Sequence, residues 1–311
     1  MDLIFLGTPA FAVPALEAVT KTHNVTLVVT QPDRPKGRGR ELAASPVKQG
    51  ATRFGLPVYQ PERIRRPEAQ ARLASLKPEI MIVVGYGQII PQSVIDMAPR
   101  GIVNVHASLL PKYRGAAPIQ WAVVNGEART GVTTMQINAG LDTGDILLMR
   151  ETDIGPEETA VELSDRLATM GAGLLMETLD GLARGTIEPR KQDDAKASLA
   201  PILKKEDGAI RWTEPATAIH NRVRGLLPWP GAYTHFRGQL LHVWRARIIG
   251  DRTALLPGHV TAGPGFRAAC GDGAVLELVE VQLEGRKRMG GDAFANGQRL
   301  SQNDILGEQP K

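Results

Sequence analysis

At 311 residues, of which 42% are hydrophobic and 23% charged, the chain has the length of two ordinary domains and the composition of a globular protein, not of a disordered tail. Its single cysteine, Cys270, excludes an internal disulfide and a cysteine-rich zinc site, and fits a reducing cytoplasm. No window approaches the roughly 20 apolar residues of a membrane helix, and the apolar stretch at 3–6 is too short for a signal peptide, so no membrane association is expected.

Taken in chain order, short apolar runs at 2–6, 25–30, 80–84, 102–105, 132–137 and 146–149 read as strands. Helical signals lie between them. Ser45-Pro46 is an N-cap followed by a proline at the first helical position, and Pro118 opens a short helix ending near Gly126. The longest helix is expected over 158–183, where apolar residues at 163, 167, 170, 174, 179 and 182 recur at helical spacing. Strands alternating with helices predict an α/β unit with an open, largely parallel sheet covered on both faces, whose ligands bind beyond the carboxyl ends of the strands. From 191 to 206 the sequence turns polar and loses its period, which reads as a linker. Beyond it, strands are expected at 209–212, 232–236, 239–249, 259–261, 266–270 and 274–281, with one helix over 215–226. Many short strands with little helix predict a small β-barrel of the oligonucleotide-binding type.

The net charge of +4 is modest, but basic residues cluster. Arg34, Lys36, Arg38 and Arg40 alternate in one glycine-rich segment, and 222–252 holds six arginines against one acid, Asp251. Such clusters attract phosphates, although on charge alone a solvated face is the commoner explanation.

Three sites carry candidate chemistry. Gly7-Thr8-Pro9 follows the first strand but lacks the further glycines of a dinucleotide fingerprint. Asn104 and His106, two apart on a strand, point to one side at the carboxyl end of an apolar run, ahead of the apolar loop Ala107-Ser108-Leu109-Leu110-Pro111. Asp142 stands among glycines in Gly140-Leu141-Asp142-Thr143-Gly144-Asp145, where a turn role is as good a reading as a chemical one.

The segments Asn-Val-His-Ala-Ser-Leu-Leu-Pro at 104–111, Lys-Tyr-Arg-Gly-Ala-Ala-Pro-Ile-Gln at 112–120 and Leu-Asp-Thr-Gly-Asp at 141–145 together resemble the signature of the folate-dependent formyltransferases. Within that superfamily, Thr-Gln-Pro-Asp-Arg-Pro-Lys-Gly-Arg-Gly-Arg at 30–40 and Lys204-Lys205-Glu206-Asp207-Gly208, with Ile210 and Trp212, are similar to the methionyl-tRNA subgroup. One departure stands at Ala200-Pro201-Ile202, where relatives commonly carry a lysine as the third residue.

The resemblance implies a Rossmann-like catalytic domain over 1–190, a linker over 191–206 and an OB-like tRNA-binding domain over 207–311. It implies formyl transfer from 10-formyltetrahydrofolate to the α-amine of methionyl initiator tRNA, with Asn104, His106 and Asp142 as the catalytic set and no metal. An amide and a charged imidazole suit a developing oxyanion, and a neighbouring carboxylate favours the imidazolium. The folate would lie against Ser108, Leu109, Leu110 and Pro111, with the backbone of Gln88 and Ile90 on its other side. Arg38, Arg40, Lys36 and Lys205 would contact tRNA, with Arg38 at the acceptor end. A cytoplasmic monomer is expected. The alternatives are the same chemistry on a small amine such as a nucleotide sugar, hydrolysis of the formylfolate, and a non-enzymatic nucleic-acid-binding protein that would leave Asn104, His106 and Asp142 unexplained.

Overall fold

The computed structural model describes residues 1–36 and 41–307. They form two compact units. Met1–Pro118, Arg129–Asp153 and Ser164–Ala200 make the first, and Ile119–Ala128, Ile154–Leu163 and Pro201–Lys311 the second.

In chain order the first ten strands are β1 (Asp2–Gly7), β2 (Asn24–Val29), β3 (Arg34–Lys36), β4 (Glu41–Ala43), β5 (Val58–Tyr59), β6 (Ile80–Val84), β7 (Ile102–His106), β8 (Arg114–Gly115), β9 (Arg129–Gln136) and β10 (Ile146–Asp153). The helices among and after them are α1 (Val13–Thr20), α2 (Pro46–Arg53), α3 (Pro67–Ser75), α4 (Gln92–Ile95), α5 (Pro118–Val124) and α6 (Ala160–Arg184). Seven strands form one sheet in the order β10-β9-β7-β6-β1-β2-β5. The five from β7 to β5 are parallel, as expected, whereas β9 runs antiparallel to both its neighbours, β7 and β10. The connection at 137–145 is too short for the crossover a parallel pair needs.

Every residue of β6 and β7 is buried, which is why these strands read as unbroken apolar runs. The edge strand β10 continues to Asp153, past the point where its apolar residues end, because an exposed edge tolerates Arg150 and Glu151. Ser45 caps α2 by accepting from Lys48 N at 3.1 Å, and Pro46 opens the helix. The start of α6 is set by a reciprocal cap, in which Thr159 N donates to Glu162 Oε2 (2.9 Å) and Glu162 N to Thr159 Oγ1 (3.3 Å). Gly171 of α6 lies against the sheet, where an added methyl would stand 3.0 Å from Val105 Cγ1. Val105 therefore faces α6, and its neighbours Asn104 and His106 face away from it.

A short strand, β11 (Leu199–Ala200), pairs in parallel with β8 inside the first unit. The second unit holds α7 (Ala216–Gly225), β12 (Ala232–Phe236), β13 (Gln239–Arg252), β14 (Arg267–Ala269), β15 (Ala274–Leu283), β16 (Met289–Gly290) and α8 (Gly291–Gln298). Its strands are antiparallel, in the order β12-β13-β15-β14 with β16 on β15. In β12 burial alternates residue by residue, the mark of a sheet with one covered face. The strands expected at 209–212 and 259–261 are reduced to isolated bridges, because the chain turns within one or two residues of each pairing. Those bridges nevertheless close the sheet: Phe236 of β12 pairs with Leu306, Ile305 with His259, and Val260 with Ala268 of β14. Closure satisfies both edges and yields the expected barrel. Phe236, Phe266 and Phe294 fill it, with ring centroids 5.2 to 6.4 Å apart.

Asp304 fastens the closing segment. It is buried, takes Arg237 Nε at 2.7 Å and Nη2 at 3.1 Å, and accepts from Ser301 N at 2.9 Å. The Arg237 guanidinium, with smaller help from Ser301, holds this carboxyl below the ordinary aspartate value. A depressed folded-state pKa contributes stability above the unfolded value of about 3.9, lost as pH falls through the folded value. Asp304→Asn is expected to destabilise the second unit by about 1–3 kcal/mol at neutral pH, and that deficit should shrink as pH is lowered toward about 3. Urea unfolding followed by tryptophan fluorescence checks this, since Trp121, Trp212, Trp229 and Trp244 all lie in the second unit. A deficit constant with pH would assign the effect to packing alone.

Candidate active site

Asn104 and His106 leave the end of β7 on one side of the sheet, 8% and 5% exposed. His106 Nε2 lies 2.9 Å from Tyr113 O. A carbonyl only accepts, so Nε2 carries the proton and the neutral ring keeps its lone pair on Nδ1. Nδ1 faces Asp142 Oδ2 across 3.7 Å, an ion-pair distance longer than a hydrogen bond. Among the described residues the Asn104 amide makes no hydrogen bond, so its donors remain available to a ligand. The structure thus brings together the three residues that the sequence singled out, from β7 and from the 137–145 connection.

Asp142 is held tightly. Its backbone is left-handed, with φ +50°, a conformation that a non-glycine residue keeps only when its surroundings enforce it. Gly115 N donates to Asp142 Oδ2 at 2.8 Å. Gln192 Nε2 donates to Asp142 O at 2.8 Å and to Gly144 O at 2.7 Å. Gly144 admits no side chain, since a methyl there would collide with Gln136 O. Tyr113, the acceptor for His106, is also left-handed at φ +61°, and its N–H is taken by Ser198 Oγ at 2.9 Å. Arg114, 7% exposed, donates through Nε and Nη2 to Gln192 Oε1 (3.0 and 2.8 Å) and pairs with Asp194 at 2.7 Å. Sequence reading missed Gln192 and Ser198, which lie in the polar stretch read as linker. Polarity without a period was the visible signal, and their partners are some 80 residues away in sequence.

The loop after β7 divides its residues between the interior and the surface. Ser108 is fully buried, with Oγ donating to Lys112 O at 2.6 Å and its carbonyl accepting from Thr133 Oγ1 at 2.6 Å. Leu110 is 2% exposed and packs with Met135 and Ile146. Their side chains therefore belong to the core, and of the four loop residues Leu109 and Pro111 are the ones that keep exposed surface. Gln88 spends its side chain on the 61–64 segment, with Oε1 accepting from Ile64 N at 2.8 Å. Among the described residues, the backbone groups of Gln88 and Ile90 have no partner.

Lys36 lies in β3, opposite Glu41 of β4, while Arg38 and Arg40 fall outside the described residues. In the second unit Lys205 is exposed and lines a cavity of about 250 Å³ with Tyr233, His235 and Leu240. The arginine run at 222–252 is mostly structural. Arg222 pairs with Glu214, Arg237 with Asp304 and Arg247 with Glu277, and Arg252 donates to Asp272 O. Arg224 is buried on the carbonyls of Gly155 and Glu158, and burial lowers its pKa from the ordinary arginine value. Among the described residues the Arg245 side chain alone of the six makes no hydrogen bond, although its charge acts on the Glu162 carboxyl. The sequence count of cations thus overstated the charge that this segment offers a polyanion.

Among the described residues no group of three His, Cys, Asp or Glu stands together to hold a metal ion, and no helix is long and apolar enough to cross a membrane.

Comparison with known proteins places this geometry in a family. A profile described as formyl transferase matches residues 1–179, and one described as formyl transferase, C-terminal domain, matches 202–299. The methionyl-tRNA formyltransferase of Solibacter usitatus (strain Ellin6076) is 64% identical over 99% of both chains, and that of Koribacter versatilis (strain Ellin345) 54% identical over 99% of both. The solved N-formyltransferase of Helicobacter canadensis, in complex with folinic acid and dTDP-3-aminofucose, shares the fold with a TM-score of 0.69 at 19% identity, over 89% of this chain and 98% of that one. The chain belongs to the formyl transferase family and, within it, to the methionyl-tRNA formyltransferases that it matches over 99% of its length.

Proposed function

We propose that the protein transfers the formyl group of 10-formyltetrahydrofolate to the α-amine of methionyl initiator tRNA, acting as a cytoplasmic monomer. In this reading 1–190 is catalytic, the first part of 191–206 packs onto it as far as Ala200 before the rest links, and 207–311 binds tRNA. The observation that carries the chemistry is His106 Nδ1 facing Asp142, next to a buried Asn104 whose amide makes no hydrogen bond among the described residues. The full-length identity to methionyl-tRNA formyltransferases supports the substrate.

The amine attacks the formyl carbon, a carbon–nitrogen bond forms, and the carbonyl oxygen becomes an oxyanion. Asn104 donates to that oxygen at any ordinary pH. His106 takes the proton of the attacking amine on Nδ1, because Nε2 is committed to Tyr113 O. Asp142 stabilises the imidazolium so formed. The same proton passes to N10 of the folate as the old carbon–nitrogen bond breaks, which balances the exchange. The folate ring lies on the exposed faces of Leu109 and Pro111. Ser108 and Leu110 shape that wall from inside, and the unpartnered backbone of Gln88 and Ile90 pairs with the pterin. Arg38, Arg40 and Lys36 serve the acceptor end of tRNA, and Lys205 its phosphates.

His106→Ala and Asn104→Ala are each expected to lower turnover roughly 100-fold, with folate binding much less affected; near-normal turnover in either folded variant would remove that residue from the catalytic set. Formyl transfer should be detected on charged initiator tRNA and not on uncharged tRNA or an amino-sugar nucleotide. Transfer to the sugar at a comparable rate would move the protein to the small-amine reading. Arg245→Ala should raise the KM for tRNA and reduce the slope of log affinity against log salt by about one, as the loss of one phosphate contact does. Arg38→Ala should instead lower kcat at saturating tRNA, because its contacts form at the reacting end. Steady-state kinetics at two salt concentrations distinguish the two, and an Arg38 variant that changes KM alone would make that segment a simple electrostatic anchor.

A further inference from the structure

The side chain of Gln192 is wired at both ends. Its oxygen accepts from Nε and Nη2 of Arg114 at 3.0 and 2.8 Å, and its nitrogen donates to the carbonyls of Asp142 and Gly144 at 2.8 and 2.7 Å. The chemistry of the neighbours fixes its orientation. A flipped amide would set NH2 against a guanidinium and oxygen against two carbonyls, four unfavourable contacts in place of four good ones. A carboxylate of the same shape could serve Arg114 but would repel the carbonyls of Asp142 and Gly144.

Arg114 is itself pinned. It is 7% exposed, it pairs with Asp194, and its backbone N–H is taken by Ser198 O at 2.8 Å. The residue after it, Gly115, sends its N–H to Asp142 Oδ2. Asp142 is thus gripped at its carboxylate by Gly115 and at its backbone by Gln192, and both grips trace to the same short strand β8. That double hold keeps a non-glycine residue at φ +50° with its carboxylate toward His106.

We infer that Gln192 is a positioning residue for the formyl-transfer reaction: it sets the aim of Asp142 at His106 without touching either substrate. This rests on the catalytic reading of Asp142 given above. Without the amide, the 140–145 loop loses two carbonyl contacts, Asp142 relaxes from its left-handed backbone, and the carboxylate leaves Nδ1 of His106.

Gln192→Ala should lower kcat roughly ten-fold or more, while the KM values for folate and tRNA stay within about three-fold. Gln192→Glu keeps the shape and the acceptor for Arg114 but lacks the donors, so it should lose kcat to a similar degree. Because Gln192 acts through Asp142, Gln192→Ala added to Asp142→Asn should cost less than about three-fold more. A purely structural role predicts the opposite: Gln192→Glu near wild type in activity, losses that multiply in the double variant, and a fall in kcat that tracks a fall in melting temperature. Those outcomes overturn the inference. Asp142→Asn with near-normal turnover would overturn the catalytic reading instead, and the two failures are told apart by that single variant. If Gln192→Ala does not fold, Gln192→Glu and its combination with Asp142→Asn decide the question alone.

Discussion

Tyr113, Arg114 and Gly115, three consecutive residues, hold the parts of the site in register. Tyr113 offers its carbonyl to His106 Nε2, Arg114 fixes Gln192, and Gly115 gives its N–H to the Asp142 carboxylate. Each uses a different group, so the short strand β8 and the residue before it orient an imidazole, an amide and a carboxylate at once. It can do so because β11 pairs with it, Leu199 opposite Arg114 and Ala200 opposite Gly115. Gly115 must be glycine here: its φ is +123°, and a methyl would stand 2.6 Å from Ala200 O.

That constraint has an energetic side. Two non-glycine residues, Tyr113 and Asp142, sit in the left-handed region, each at a cost on the order of 1–3 kcal/mol. The surrounding hydrogen bonds meet that cost, and the return is a site that is organised before substrate arrives. In the proposed mechanism the Asn104 amide serves as such a preorganised donor, the kind that gains most over water. The rigid support beneath is the buried parallel sheet, whose β7 delivers Asn104 and His106 at its carboxyl end, where ligands of such sheets bind.

The second unit uses its charges differently. Arg222, Arg237, Arg247 and Arg252 are engaged with acids or carbonyls, and Arg224 is buried among carbonyls. These contacts fasten turns and barrel edges. The Arg237–Asp304 pair is the clearest case, because it secures the strand segments that close the sheet into a barrel. A run of arginines can thus be a set of internal fasteners.

The sequence alone determined the elements whose pattern is local. The unbroken apolar runs of β6 and β7, the Ser45-Pro46 cap, and the α6 stripe were legible because burial on two faces or one repeats at a fixed short period. The pairing of Asn104 with His106 followed from the two-residue repeat of a strand, and the motifs around them carried the family. Only the tertiary structure decided the rest. The antiparallel turn of β9 and β10, the barrel closed by single bridges at 259–260 and 305–306, and the sorting of Ser108 and Leu110 into the core leave no periodic trace. Gln192 shows why. Its four hydrogen bonds reach residues 48 to 78 positions away, so nothing in its own neighbourhood marks it as more than a polar residue in a polar stretch.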